Sequence, residues 1–443
     1  MAKDMGELFL EDFSIKSIDT SGANVNIYMH WDGKTPDECP ACGSKLYKHD
    51  TRTVEITDTQ LFGKPAKMQV SYPRMRCKNP ECKNLWAPEI KGIDESHKMT
   101  DRAFSAIADE GLRHSFEDIG EEYDISPRTA KSIFTDYIDA KDKELKFITP
   151  AFVGMDEIKI KKIGEITVIT DLEHRTLYDM LDGRNTPSLT GYFSKMPDPE
   201  KVLWVCTDMY RPFEKTIKTA LPNARWVVDH FHVVAYANRA MDSVRIAVQR
   251  DMSKKDRIAT KKGLAYTLRT RASRLTAEEA SKIRYCRTNE KYKPLAVAFD
   301  LKEDFFNIYD ENPTSKDNAQ AAFAEWEKSI PEDELYDGFR ELAKTVHNFY
   351  EQIFNLWDCP IHITNGFTEC TNRIIRENSV KGRGSSFKVL RARTLFRKTN
   401  LTRLEENGML IGPGIPNKGP VFHFEETKDI IEMTEESFED TYN

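Results

Sequence analysis

Between residues 151 and 228 the apolar positions come in short runs, each ended by a turn former or a carboxylate. Runs at 152–158, 163–171 and 176–181 predict three consecutive antiparallel strands with tight connections. A helix is predicted near 188–195, then a strand at 202–207, a helix at 212–221 and a strand at 225–228. Helical periodicity dominates 99–148 and again 233–360, with clear amphipathic stretches at 235–250 and 319–328. A strand-to-helix pattern resumes at 366–375. Near the front, 51–56 and 67–72 alternate in the manner of half-buried strands.

Three strands, a helix, a strand, a helix and a strand is the element order of a ribonuclease H-like core. The fold class expected is therefore α/β and multidomain: an N-terminal zinc ribbon, a helix-turn-helix, and a ribonuclease H-like catalytic core interrupted by an all-α insertion. The boundaries run 1–35 (N-terminal segment), 36–98 (zinc ribbon), 99–148 (helix-turn-helix), 149–232 (first part of the core), 233–360 (insertion), 361–410 (last part of the core) and 411–443 (an acidic, disordered tail).

The zinc reading rests on Cys39-Pro40-Ala41-Cys42 and Cys77-Lys78-Asn79-Pro80-Glu81-Cys82, two pairs with turn formers beside them. Each pair can present two thiolates, so Cys39, Cys42, Cys77 and Cys82 complete one tetrahedral Zn²⁺ site; His49 and His97 are read as bystanders. In the helical stretch, Ser126 is a good N-cap and Pro127 suits the first helical position. Ile119, Tyr123, Ile125, Ala130 and Ile133 form the expected seam, which leaves Arg128, Thr129, Lys131 and Ser132 facing outward toward a DNA major groove.

Composition alters this picture in one respect. The chain has 443 residues, a net charge of −7 and eight cysteines. No apolar run reaches the length of a membrane span and the first residues lack a signal-peptide core, so a cytoplasmic, nucleoid-associated protein without membrane contact is expected. The charge is segregated. Residues 424–443 carry −7, whereas 370–403 carry +9. That basic stretch holds Arg373, Arg376, Lys381, Arg383, Lys388, Arg391, Arg393, Arg397 and Lys398 around a glycine-rich turn, Gly382-Arg383-Gly384. It is expected to need an anionic partner, double-stranded DNA, with Arg373, Arg376, Lys381, Arg383, Arg391 and Arg393 as contacts.

Three acids carry the chemistry. Asp156 and Asp208 each end an apolar run, and Glu369 heads the basic stretch between Asn365-Gly366 and Asn372. Converging, they would hold a pair of hard divalent cations, Mg²⁺ or Mn²⁺, for phosphodiester chemistry. Glu157 is the alternative to Asp156, since adjacent strand residues face opposite ways. Asp171 reads as a turn acid. Asp229 and His232, after the fifth strand, are expected to support the site or bind the scissile phosphate, with structural packing the competing account. Two histidines at the His230–His232 spacing could be a metal pair, but one ring is expected to be out of register with the other. Tyr210 and Arg211 are possible DNA contacts, and Trp357 is either a base-stacking ring or core.

Taken together, the cysteine pairs, Gly154-Met155-Asp156-Glu157, Thr207-Asp208-Met209-Tyr210, Leu221-Pro222-Asn223-Ala224, Val228-Asp229-His230-Phe231-His232-Val233, Leu301-Lys302-Glu303, Asn365-Gly366 with Glu369 and Asn372, and Arg383-Gly384 with Phe387 resemble the DDE transposases of bacterial insertion sequences, specifically the ISL-three family. The likeness spans roughly 36 to 400. Cys370, where the family pattern leads one to expect glycine, and His230, where Arg or Lys is usual, depart from it. The resemblance implies cut-and-paste movement of an element with terminal inverted repeats, Asp156, Asp208 and Glu369 as metal ligands, target DNA as second partner, and a homodimer or higher assembly. The alternative is a catalytically silent, sequence-specific DNA-binding protein derived from a transposase.

A solvated, disordered segment is the ordinary reading of the acidic tail; competition with DNA for the basic stretch is the sharper one. On the sharper reading, deleting 424–443 tightens DNA binding in a titration at fixed salt, and unchanged affinity counts against it.

Overall fold

The computed structural model describes residues 10–250, 252–259, 263–381 and 386–412. Its front is a seven-stranded sheet built from β1 (Phe13–Asp19), β2 (Val25–Trp31), β3 (Leu46–Leu61), β4 (Lys64–Cys77), β5 (Leu85–Trp86), β6 (Ile93–Asp94) and β7 (Met99–Thr100). The order is β1-β2-β4-β3-β7-β6, with β5 on β4. The long β3–β4 hairpin extends well beyond the predicted 51–56 and 67–72. Of the N-terminal segment 1–35, expected as a unit of its own, residues 13–31 are not separate: β2 pairs with β4 in parallel and carries β1 with it, while 1–9 lie outside the described residues. The reason is apolar alternation. Val25, Ile27 and Met29 drop into one core with Ile56, Ala66, Met68 and Val70.

Helices α1 (Asp101–Gly111), α2 (Phe116–Tyr123) and α3 (Pro127–Glu144) follow, opened by Thr100, Ser115 and Ser126, whose hydroxyls each accept an amide of the first turn. These caps leave few amides unsatisfied at each start. Asp124, at φ 50°, turns the chain between α2 and α3. Ile119, Tyr123, Ala130 and Ile133 are buried as predicted, and Ile125 packs beside them. Asp58 ties the helices to the sheet: fully buried, it accepts the Thr100 hydroxyl (2.6 Å) and pairs with Arg102.

After β8 (Lys146–Phe147) comes a five-stranded sheet of β9 (Phe152–Ile160), β10 (Gly164–Asp171), β11 (Thr176–Asp182), β12 (Trp204–Thr207) and β13 (Arg225–Val228), with α4 (Thr186–Phe193) and α5 (Arg211–Ala220) between. Its order is β11-β10-β9-β12-β13, antiparallel through the first three strands and parallel from β9 to β13. On one face, Val153, Met155 and Ile169 meet Leu189 and Phe193 of α4 and Phe213 and Ile217 of α5.

That core runs on into a helical block: α6 (His230–Arg250), α7 (Lys254–Ala259), α8 (Ala265–Arg269), α9 (Ala277–Thr288), α10 (Lys293–Asp310), α11 (Lys316–Ser329), α12 (Asp337–Asn348) and α13 (Tyr350–Phe354). Trp357 belongs here, stacked on Tyr309 and Phe354 with its indole N–H donated to the Asn312 carbonyl. That packing, not base stacking, occupies the ring.

On the other face lie α14 (Gly366–Lys381), α15 (Phe387–Leu395) and α16 (Lys398–Glu406), before β14 (Leu410–Ile411) pairs antiparallel with β8. Residue 411, expected in the tail, is thus in a strand; 413–443 lies outside the described residues, as do Arg383 and the glycine-rich turn at 382–385. Val389, Leu390 and Leu395 of α15 share a core with Phe134 and Ile138 of α3 and with Ile158, Val168 and Leu177 of the sheet.

The basic stretch is less free than its charge implied. Arg391, expected to meet DNA, pairs with Asp179 (2.6 Å) and Asp142 (2.9 Å), and Lys388 pairs with Asp139 (2.6 Å). Arg393, also expected on DNA, is buried at 5% exposure; it donates to the Gly111 carbonyl (2.8 Å) and the His114 carbonyl (2.6 Å) and lies over the Phe116 ring. Sequence order could not show these partners, because they come from α1–α3 and β11.

Arg393→Ala strands the buried Gly111 carbonyl at the end of α1, releases that of His114 and opens a hole beside Phe116. It is expected to cost about 2–4 kcal/mol, read as a lowered urea midpoint.

Candidate active site and zinc centre

Among the described residues, two groups could hold a metal ion: Cys39, Cys42, Cys77 and Cys82, and Asp229, His232 and Glu369. The cysteines sit where the β3–β4 hairpin opens. The Cys42 and Gly43 amides both donate to the Cys39 carbonyl (3.3 and 2.9 Å), and the Cys82 amide donates to the Asn79 carbonyl (3.2 Å), so each pair closes a tight turn. Sulfur separations are 3.8 Å for Cys39–Cys82 and 3.5 Å for Cys42–Cys77, and all four thiols are free. Thiolates on one tetrahedral zinc, at about 2.3 Å from the metal, stand about 3.8 Å apart. The set fits zinc. His97 instead faces Asp94 (3.0 Å) and is no ligand.

The second centre is built by strand register. β12 pairs with β9 as Cys206 with Gly154, and β12 with β13 as Thr207 with Val228. Continuing both ladders puts Asp156, Asp208 and Asp229 in one row across three parallel strands. Asp156 accepts the Glu157 amide (2.8 Å) and the Asn372 side-chain amide (2.6 Å). Asp208 accepts the Tyr210 amide (3.1 Å) in a turn before α5; the N-cap of that helix is Tyr210, so Asp208 is not its cap. Glu157 points to Arg184 (2.7 Å). Asp171 closes its turn by accepting the Glu173 and His174 amides.

Glu369 comes to this row on the first turn of α14, which lies unusually close to β9. A Cβ on Gly154 would stand 2.4 Å from Thr368 Oγ1, 2.6 Å from Thr170 Oγ1 and 2.7 Å from Asn365 Oδ1. The Asn365 side chain donates to the Met155 carbonyl (3.0 Å), its backbone amide to Asp229 (3.3 Å), and the Thr170 and Thr368 hydroxyls bond to each other (2.7 Å). Asn365 and Asn372 thus make the tight contacts with a strand end expected of them.

The His230–His232 segment opens a helix directly after β13. It is the first turn of α6, so successive side chains turn by about 100°. His230 is half-buried beside Phe231, Tyr309 and His362, and its desolvation pushes its pKa down. His232 Nε2 lies 3.9 Å from Glu369 Oε1.

Burial raises the pKa of Asp156, Asp208 and Glu369. Asp208 adds to the rise at Asp156, Asp229 and Asp156 add to it at Glu369, and His232 opposes it at all three. Asp156 thus feels Asp208, and Glu369 feels Asp156. Arg184, missed in the sequence, reaches this centre as well: it pairs with Glu157 and Glu165, lies over the Tyr210 ring (5.1 Å) and counters the charge of Asp208. Nothing local in Gly183-Arg184-Asn185 marks it. Gly154 inside a strand, by contrast, was a readable sign of close backbone approach.

Of the other expected DNA contacts, Arg128, Lys131, Arg373, Arg376 and Lys381 are exposed. Thr129 is half-buried, its hydroxyl bonded to Ser126 (2.8 Å). Ser132 lies 3.5 Å from His97, and Arg211 is engaged by Glu214, the Asn348 carbonyl and the Phe349 ring.

A cysteine-built zinc module ahead of an α/β core with acids at its strand ends is the arrangement found in a class of DNA-mobilising proteins. A transposase family model of the ISL3 DDE type matches residues 153–394, and the zinc-finger model of transposases IS204, IS1001, IS1096 and IS1165 matches 35–82. The chain belongs to the ISL3 transposase family. It is similar to the transposase for insertion sequence element IS1001 of Bordetella parapertussis, 22% identical over 295 residues that cover 65% of this chain and 71% of that protein. Among the described residues, no helix is long and apolar enough to cross a membrane.

The raised acids make stability depend on pH. A carboxyl whose pKa is higher folded than unfolded keeps its proton longer in the fold. Its contribution is complete below the ordinary carboxylate range and is lost as pH rises through the folded value. Zinc-loaded protein without other divalent ions is therefore expected to weaken from about pH 4 upward. Asp208→Asn should raise the neutral-pH melting temperature by about 2–4 °C, with the gain vanishing in acid, as followed by circular dichroism.

Proposed function

We propose that this chain is a DNA transposase that binds the terminal inverted repeats of an insertion sequence and catalyses two-metal DNA cleavage and strand transfer. The supporting observation is the seating of Glu369 by α14 at the sheet end that carries Asp156 and Asp208, where burial raises all three acids, Asp208 acts on Asp156 and Asp156 acts on Glu369. The element order and the β11-β10-β9-β12-β13 sheet support a ribonuclease H-like core. The α2–α3 pair, with Arg128 and Lys131 exposed, supports a helix-turn-helix reading the repeat ends.

The centre fits divalent cations. Its carboxylates are desolvated together, and Asn365 Oδ1, Asn372 Oδ1 and His232 Nε2 are buried with no hydrogen-bond partner. Asp156, Asp208 and Glu369 would hold magnesium or manganese, which supplies an activated oxygen nucleophile and neutralises charge on the phosphate. Asn372 and the Glu157 amide fix the Asp156 carboxylate. Arg373 and Arg376 follow Glu369 by four and seven positions on α14, so they share its face and form a rail for the DNA backbone. Asp229 holds the start of α14 through the Asn365 amide. Both element ends must be gripped at once, so a dimer or larger assembly is the working form.

Glu369→Gln tests the reading. With Mg²⁺ and duplexes bearing the element's own ends, cleavage and joining should fall at least about a hundredfold while end binding is retained. Specific binding by the unaltered protein with no nicking at all would favour the silent DNA binder.

A further inference from the structure

His232 is not accounted for by the three-acid reading. It lies on the first turn of α6, three residues after Asp229, so the two side chains share a face. One ligand atom each from Asp229, His232 and Glu369 lies within 4.8 Å of the others. His232 Nε2 is buried and unpartnered, and at 3.9 Å from Glu369 Oε1 it is too far for a hydrogen bond. Asp229 is wholly buried, yet its accepted amide bonds, from Phe231 and Asn365, are both 3.3 Å long and leave lone pairs unused. His230 Nδ1 is also buried and unpartnered, 3.5 Å from Asp229 Oδ1, but it does not belong to the group whose ligand atoms meet within 4.8 Å, and its ring is packed among Phe231, Tyr309 and His362.

We propose that Asp229, His232 and Glu369 form a mixed nitrogen–oxygen site for one divalent cation, which selects manganese(II), or another ion that accepts imidazole, over magnesium. The proposal rests on the reading above that Glu369 is a metal ligand. It goes further in making the Glu369 end of the centre chemically unlike the Asp156–Asp208 end. Magnesium favours oxygen ligands and retained water, whereas first-row divalent ions accept an imidazole nitrogen more readily, manganese the least avid among them. An ion here breaks no hydrogen bond and gives the stranded Nε2 a partner. The alternative is that His232 merely swings to hydrogen-bond Glu369.

The test uses the full-length, zinc-loaded protein with Mn²⁺ alone, followed by electron spin echo envelope modulation. The expected result is ¹⁴N modulation from a directly bound nitrogen, converted to the ¹⁵N pattern when histidine is ¹⁵N-labelled, which requires no variant. His232→Gln should abolish it and weaken Mn²⁺ binding at least about tenfold, with Mg²⁺ binding little changed. Mn²⁺ that is lost in Glu369→Gln but shows no nitrogen coupling overturns this inference and leaves the three-acid reading intact. Coupling that persists in His232→Gln also overturns it. Mn²⁺ binding indifferent to both Asp156→Asn and Glu369→Gln would remove the inference and the three-acid reading together.

Discussion

The close seating of α14 on β9 is the constraint from which the candidate active site follows. It exists because residue 154 has no side chain: any Cβ there would collide with Thr170, Thr368 and Asn365 at once, two of them on the helix side of the contact. With that space free, Asn365 bonds the Met155 carbonyl and Thr368 meets Thr170, so the helix is locked by polar contacts and not by apolar packing alone. Such contacts are directional. They fix the rotation of α14 as well as its distance, and rotation decides whether the residue at position 369 looks at the strand ends or away from them. Asn372, one turn later, closes the arrangement on Asp156 itself.

The price of this arrangement is charge crowded into a desolvated place. Asp156, Asp208 and Glu369 are all pushed toward their neutral forms by burial, with neighbouring acids adding to the effect at Asp156 and Glu369. Proteins rarely keep such a cluster for stability. It is tolerable where cations are to be received, and a rigid frame is what prevents the acids from relaxing apart. Membership of the ISL3 transposase family and the geometry of the centre thus point the same way.

Much of this was legible in the chain. The core strands could be placed to within a few residues, because apolar runs bounded by acids and turn formers specify strands locally. The cysteine spacing specified the zinc turns for the same reason. What escaped depends on partners distant in sequence. β1 and β2 join the front sheet through a parallel pairing with β4 that no hairpin signal announces. Arg391 and Arg393 looked like DNA contacts because their partners, Asp142, Asp179 and the Gly111 and His114 carbonyls, are more than two hundred residues away. His232 comes close to Glu369 because the chain turns into a helix directly after β13.

The buried Arg393 carries a consequence for how the molecule is made. The carbonyls it satisfies close α1, and the helix that bears it, α15, shares a core with α3 and the central sheet. A ribosome must therefore have polymerised past residue 393 before the front helices gain this support. Nascent chains broken off earlier would carry an unfinished amino-terminal half. The part that would grip an element's ends and the part that would cut them mature in the same moment of synthesis.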